Sequence, residues 1–228
     1  TLTVVRTVVP GAVALAGWSA VGAERPAWAA AGVETIVTSC ADCYHAFKRL
    51  YPQVGSQVQV LHTVELLAHL IHRGRLVLRT DVPVTVTYHD PCHLGRQGEP
   101  YVPWDGVEKK IRNQIVVHQP KKPRYNGAWG VYDPPRDVLR AIPGVELVEM
   151  ERIREYSWCC GAGGGAREAY PEYARWTAAE RVAEATATGA EALVTACPGC
   201  ERSFLDVAGA AGNGLRVYDI VDLVQQAL

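Results

Sequence analysis

One stretch of this 228-residue chain occurs twice. Gly32-Val-Glu34-Thr-Ile-Val37-Thr38-Ser-Cys40-Ala-Asp-Cys43, followed by Phe47, is matched by Gly189-Ala-Glu191-Ala-Leu-Val194-Thr195-Ala-Cys197-Pro-Gly-Cys200, followed by Phe204. Seven identities share one offset of 157 residues, including both cysteine pairs and the later phenylalanine. A register held over so many positions points to two copies of one supersecondary unit. Each copy reads alike. A helical stretch stops at a glycine (Gly32, Gly189) and a β-rich run follows (Thr35 to Thr38, Ala192 to Thr195). The Cys-x-x-Cys then opens a helix (Ala46 to Leu50, Arg202 to Ala208). Thiols at the carboxyl end of a strand lie where α/β folds gather their sites, and a helix amino end favours the thiolate.

The remaining pattern is also α/β. Val60 to His72 reads as a helix, with Leu61, Val64, Leu67, Ala68 and Ile71 at helical spacing. Val84 to His89 reads as a strand that runs into Asp90-Pro91-Cys92, and Val145 to Met150 as another. Helices are expected at Arg136 to Ala141, Arg167 to Ala187 and Tyr218 to Leu228. Strands alternating with helices predict a parallel sheet. Gly95 to Pro135 is rich in Pro, Gly, Trp and Lys and reads as a long loop or insertion.

Net charge is −1, so neither nucleic acid nor an anionic membrane is an expected partner. No apolar run approaches the roughly 18–20 residues that cross a bilayer. Val8 to Ala20 is apolar and follows Arg6, but its length and flanks suit a signal peptide poorly, and an Ala-rich helix or loop is the preferred reading. The chain opens on Thr1 rather than Met, which leaves its natural start open. Seven clustered cysteines do not resemble a secreted disulfide scaffold; paired spacing points to metal or redox chemistry in a reducing, cytoplasmic compartment.

Five of those cysteines occupy three strand-to-loop positions: Cys92, the adjacent pair Cys159-Cys160, and Cys197-x-x-Cys200. Adjacent cysteines are awkward ligands for one zinc ion, because neighbouring side chains diverge, whereas a cluster of several irons accepts both. Gly161, Gly163, Gly164 and Gly165 follow the pair and allow close backbone approach, with N–H groups aimed at sulfur. A structural zinc or assembly module is the alternative from another class, and a cluster-free dithiol oxidoreductase using Cys197-x-x-Cys200 is a third reading.

Cys159-Cys160-Gly161, then thirty-six residues from Gly161 to Ala196, then Cys197-Pro-Gly-Cys200, resembles the cysteine-rich CCG domain, and Tyr88-His89-Asp90-Pro91-Cys92-His93-Leu94-Gly95-Arg96 is similar to the same family. These domains occur in the B-type and D-type subunits of heterodisulfide reductases and in (Fe–S)-binding subunits of glycolate and lactate oxidation systems. The resemblance covers roughly residues 32 to 228. It implies two pseudo-symmetric, Rossmann-like repeats with parallel sheets, each able to hold a noncubane [4Fe–4S] cluster through five cysteines. Carried over, the set Cys92, Cys159, Cys160, Cys197 and Cys200 is complete, although sixty-six residues separate Cys92 from Cys159, about twice the family's usual gap. The N-terminal repeat, 1–80, is then incomplete, and 81–228 is a complete repeat with an insertion at about 95–135. By the offset of 157, the missing pair would fall at Leu2 and Thr3, and the first single cysteine before the chain begins. Cys40 and Cys43 are left as free thiols, as a disulfide, or as zinc ligands with a histidine such as His45; free thiols are preferred. The implied function is electron transfer within a multi-subunit oxidoreductase, with disulfide or thiol chemistry at the cluster as a further option. The implied partners are redox subunits carrying iron–sulfur clusters or flavin, a disulfide or small organic substrate, and a membrane complex reached through those subunits.

His89 and His93 flank Cys92 and are candidate proton donors or hydrogen-bond partners of its thiolate. His62, His69 and His72 share a segment but lack a completing ligand, so ordinary histidines are preferred. Arg96 is a candidate anion holder, with plain solvent exposure preferred. Tyr101, Trp104, Tyr125, Trp129 and Tyr132 either anchor the insertion or face a partner subunit. No Gly-x-Gly-x-x-Gly opens a helix and no Ser-His-Asp set can be argued.

Overall fold

The computed structural model describes residues 3–4, 32–54, 58–99, 102–211 and 214–228. In chain order the elements are β1 (Thr3–Val4), β2 (Thr35–Thr38), α1 (Ala41–His45), continued by a π-helical turn over Ala46–Leu50, β3 (Gln59–His62), α2 (Thr63–His72), β4 (Val84–His89), β5 (Val107–Ile111) and β6 (Ile115–Gln119). Then come α3 (Asp133–Ala141), β7 (Val145–Leu147), α4 (Ala166–Ala169), α5 (Pro171–Ala187), β8 (Ala192–Thr195), α6 (Pro198–Ala211), β9 (Arg216–Asp219) and α7 (Ile220–Gln226). One sheet has the order β1-β2-β3 and another β7-β4-β8-β9, and every pairing in both is parallel. The fold is therefore α/β with parallel sheets. β8 is buried at every position and β4 from Val86 to His89, as expected of strands covered on both faces. Helix α5 packs on α6, and α2 on α3. The order reverses at β4, because β7 follows on one side and β8 lies on the other. Such a reversal opens a crevice beyond the carboxyl ends of the two central strands.

The repeat is visible in the backbone. β2 and β8, β3 and β9, and the first residues of α2 and α7 are each separated by the same 157 residues. Two expected helices begin later than their apolar pattern suggests. Gln59–His62 and Arg216–Asp219 are strands, paired with β2 and β8, before α2 and α7 start. The boundary is set by caps. His62 Nδ1 accepts the Val64 N–H (3.3 Å) while Glu65 accepts the His62 N–H (2.8 Å), and Asp219 accepts the Val221 N–H (2.9 Å). A strand that enters a helix without a loop keeps apolar residues on both periods, so spacing alone merges them. The expected helix from Arg167 is broken at Tyr170-Pro171, where proline starts α5 as its first residue.

Asp219 carries a pH dependence. Burial, aided by Glu201 and Asp222, pushes its carboxyl from the ordinary 3.8 up to about 7, against the Val221 hydrogen bond. The folded chain thus retains a proton that the unfolded chain has released, so stability falls as pH rises through this window and levels off above it. Asp219→Asn, which keeps a capping oxygen, is expected to raise the melting temperature most at pH 8 and by a smaller amount at pH 5, where only part of the window has been crossed. Equal shifts at both pH values in thermal denaturation would contradict this.

Between Gly95 and Pro135 the structure has a two-stranded antiparallel hairpin, β5–β6, where a loop is expected. Its turn holds Arg112 and Asn113 at positive φ (50° and 57°), which suits the twist of a hairpin. Val107, Ile111 and Ile115 on one face are 62%, 50% and 60% exposed. Without a sheet to pack on, the alternation is too irregular to read as strand.

The counterpart of the adjacent cysteine pair also differs from expectation. Leu2 lies outside the described residues, as do Tyr101 and the Val8 to Ala20 segment. Thr3 pairs with Ile36 in the register in which Thr87 pairs with Leu193, so it corresponds to a residue of β4 and not to Cys160. The chain takes 33 residues from Thr3 to Ile36 but 106 from Thr87 to Leu193, so the constant offset does not extend N-terminal of the repeat.

Candidate metal centre

The cysteines lie beyond the carboxyl ends of the strands. Cys92 is in the turn after β4, where the Leu94 and Gly95 N–H groups donate to the Pro91 carbonyl (3.1 and 2.9 Å). Asp90, two residues earlier, accepts both terminal nitrogens of Arg136 from α3 (2.8 and 2.9 Å) and the Arg154 N–H (2.8 Å). Arg136 also donates to Glu149 (2.6 and 3.0 Å) and is buried. This network ties the end of β4 to α3 and to the segment after β7 that leads to Cys159. At Gly161 the backbone has φ +79°, and a Cβ there would lie 2.4 Å from the Ala174 carbonyl, so the turn after the cysteine pair admits only glycine. Cys197 and Cys40 precede α6 and α1, and their carbonyls accept the Glu201 and Tyr44 N–H groups (3.0 and 2.9 Å).

The sulfurs form one connected set. Cys200 Sγ and Cys160 Sγ are 3.0 Å apart. Side-chain hydrogen bonds extend from Cys160 to Cys159 and on to Cys92, and from Cys200 to Cys197. Cys197 in turn meets Cys40, which meets Cys43. The structure thus brings the five C-terminal cysteines together and sets the first Cys-x-x-Cys against the second. All seven are free thiols. Hydrogen bonds from Cys159 and Cys200 hold the Cys160 thiol well below its ordinary range, and those from Cys197 and Cys43 do the same for Cys40, in both cases against burial. Cys92 is pushed up, by its contact with Cys159 and then by burial.

Polar groups border the sulfurs. Arg96 donates to Cys92 Sγ (3.2 Å) and to the Glu155 carbonyl (3.0 Å), so it is engaged with the site and not merely solvated. The Gly161 N–H donates to Cys159 Sγ (3.3 Å). His93 bonds the Asp42 carboxylate and stacks on His45, with ring centroids 4.9 Å apart. Burial lowers the His93 pKa, but the Asp42 hydrogen bond and charge outweigh it and the net direction is upward. His89 is buried, and a ring nitrogen lies within 4.8 Å of both Cys160 and Cys200 Sγ. Burial first, then the neighbouring Arg181, holds His89 well below its ordinary pKa.

The other histidines do not join this site. His62 caps α2, His69 is exposed and His72 faces Asp137 at 3.5 Å. The described aromatic residues separate. Tyr132 is buried and Trp104 packs between His118 and Lys122, while Trp129 is 80% exposed. Sequence reasoning missed Asp42, Arg136 and Arg181. Arg181 left one trace: it interrupts the small apolar stripe Ala174, Ala178, Ala185 on α5, where a charge is out of place.

The donor set fits a polynuclear iron–sulfur group. It consists of clustered thiols that are not paired as disulfides, backbone and arginine N–H groups aimed at sulfur, and a buried histidine Nε2 without a partner among the described residues. A cysteine-rich domain family model, CCG, matches residues 115–204. That stretch, which holds Cys159, Cys160, Cys197 and Cys200, is similar to the cysteine-rich CCG domain family. It is 36% identical over 200 residues to the D-type subunit of the dihydromethanophenazine:CoB–CoM heterodisulfide reductase of Methanosarcina mazei, covering 86% of this chain and 41% of that one. It is 35% identical to a Bacillus subtilis protein named as a probable iron–sulfur-binding oxidoreductase (86% of this chain, 24% of the relative), and 31% identical to the EtfAB:quinone oxidoreductase of Syntrophomonas wolfei (86% and 25%). The chain spans less than half the length of these curated relatives.

Proposed function

We propose that this chain provides the iron–sulfur site of an electron-transfer subunit in a heterodisulfide reductase-like oxidoreductase. The observation that supports this reading is the contact between Cys160 Sγ and Cys200 Sγ (3.0 Å), which joins the adjacent cysteine pair to the second Cys-x-x-Cys. Cys92, Cys159, Cys160, Cys197 and Cys200 would hold the group, and five ligands including an adjacent pair favour the noncubane [4Fe–4S] type. When bound, such a group supplies reversible uptake of electrons. The chain's own residues would exclude water, hold the thiolates and offset their charge through Arg96. His93, held by Asp42, is the better placed of the two histidines flanking Cys92 to hand a proton to a thiolate. Cys40 and Cys43 would border the crevice.

The relatives support redox subunits as partners, which we read as carrying iron–sulfur clusters or flavin, and the exposed apolar face of the β5–β6 hairpin supports a protein contact there. We read residues 1–80 and 81–228 as the two repeat units. No helix among the described residues is long and apolar enough to cross a membrane. A cytoplasmic chain that reaches a membrane complex through partners fits this reading. Anaerobically purified protein is expected to contain iron and acid-labile sulfide in equal amounts; zinc without sulfide would replace the cluster reading with a structural metal site.

A further inference from the structure

His89 ends β4 and is buried, yet one of its two ring nitrogens has no hydrogen-bond partner among the described residues. Its Nδ1 lies 3.2 Å from Arg181 Nε. A guanidinium only donates, so Nδ1 is the acceptor and the imidazole proton is on Nε2. Arg181 has no freedom to release it. Its other nitrogens donate to Glu184 (2.8 Å), the Arg152 carbonyl (2.9 Å) and Ser157 Oγ (3.1 Å), and the side chain is completely buried. Phe204 meets the His89 ring edge-on at 4.8 Å between centroids, which holds the ring plane. The result is an imidazole of fixed tautomer and orientation whose Nε2–H has no partner among the described residues and which has a ring nitrogen within 4.8 Å of the Cys160 and Cys200 sulfurs.

We propose that His89, held in one tautomer by Arg181, supplies an Nε2–H hydrogen bond to sulfur of the group bound at Cys160 and Cys200, and that it raises the reduction potential of that group. It neither ligates iron nor passes a proton on. This rests on the cluster reading above. The physical cause is that an N–H dipole stabilises added negative charge on sulfur, and so favours the reduced state. A donor that keeps its proton acts alike in both redox states, unlike a shuttle, and His89 is thereby a positioning residue with a role separate from that of His93.

The test compares the cluster-loaded protein with His89→Leu and His89→Gln. The leucine variant is expected to keep its iron and sulfide but to show a more negative midpoint potential in a redox titration followed by electron paramagnetic resonance. The glutamine variant, whose amide N–H can take the same role, is expected to recover part of the shift. An unchanged potential in the leucine variant overturns the proposal, as does a glutamine variant no higher than leucine. Should the leucine variant fail to hold iron, electron–nuclear double resonance on the reduced wild-type protein decides. A weak coupling to histidine nitrogen with an exchangeable proton supports the donor; a strong coupling of a ligating nitrogen, or none, refutes it. Wild-type protein without iron and sulfide would instead refute the cluster reading itself.

Discussion

Cys160→Ser is expected to abolish most of the iron, sulfide and visible absorbance of anaerobically purified protein. Cys160 is the joint of the sulfur set. It touches Cys200 from the second repeat motif (3.0 Å) and Cys159 on the way to Cys92. It is also the buried thiol held furthest toward the thiolate within the five-cysteine set, which is the form that binds metal. Serine keeps the volume but offers a hard, protonated oxygen. Loss of a neighbour to a ligand costs about 10–100-fold in metal affinity, and loss of a central ligand should cost at least that. Cys43→Ser is the contrast. Cys43 is the far end of the sulfur series, joined to it through Cys40, and its replacement should leave the metal content near that of the unmodified chain. Comparable iron and sulfide in Cys160→Ser and the parent chain would remove the five-cysteine site.

Arg136→Met is expected to destabilise the fold by about 3–5 kcal/mol, the cost of leaving buried charge without its partner. For a chain of this size that lowers the melting temperature by about 6–20 °C. The arginine answers two carboxylates at once, Asp90 at 2.8 Å and Glu149 at 2.6 Å. Arg136 and Asp90 are each about 1% exposed, whereas Glu149 is partly open to solvent, so the stranded Asp90 is the larger cost. Adding Asp90→Asn removes that charge and should recover part of the loss, because an amide oxygen can still accept the Arg154 N–H. The damage should reach the metal site, since Asp90 directs the turn that presents Cys92. A melting temperature within a few degrees of the parent's, with metal content unchanged, would show that the network is not what holds this corner.

Local chemistry was legible in the chain itself. The offset of 157 located two equivalent strands and the cysteine pairs that follow them, and β2 and β8 have the bounds read from it. Glycines told of close backbone approach after Cys160, and Gly161 is held there by its positive φ and by the Ala174 carbonyl. What the pattern misplaced shares one cause. β3 and β9 run straight into helices, and the hairpin β5–β6 is a two-stranded sheet of its own with an exposed apolar face, so neither leaves the clean period that sequence reading depends on. Arg136 and Arg181 look like surface arginines in a charged helix; burial gives them meaning, and burial depends on the neighbours.

The repeated Cys-x-x-Cys units open on two separate strand ends, and that much is dictated by residues within a dozen positions of each other. That Cys40 meets Cys197 is of another kind. It depends on which way the two sheets turn their carboxyl ends, over a separation of 157 residues, and no local period carries that information. The sequence determined the two motifs and their chemistry; tertiary structure decided that they meet, because helix packing and sheet order set the distance between elements remote in the chain.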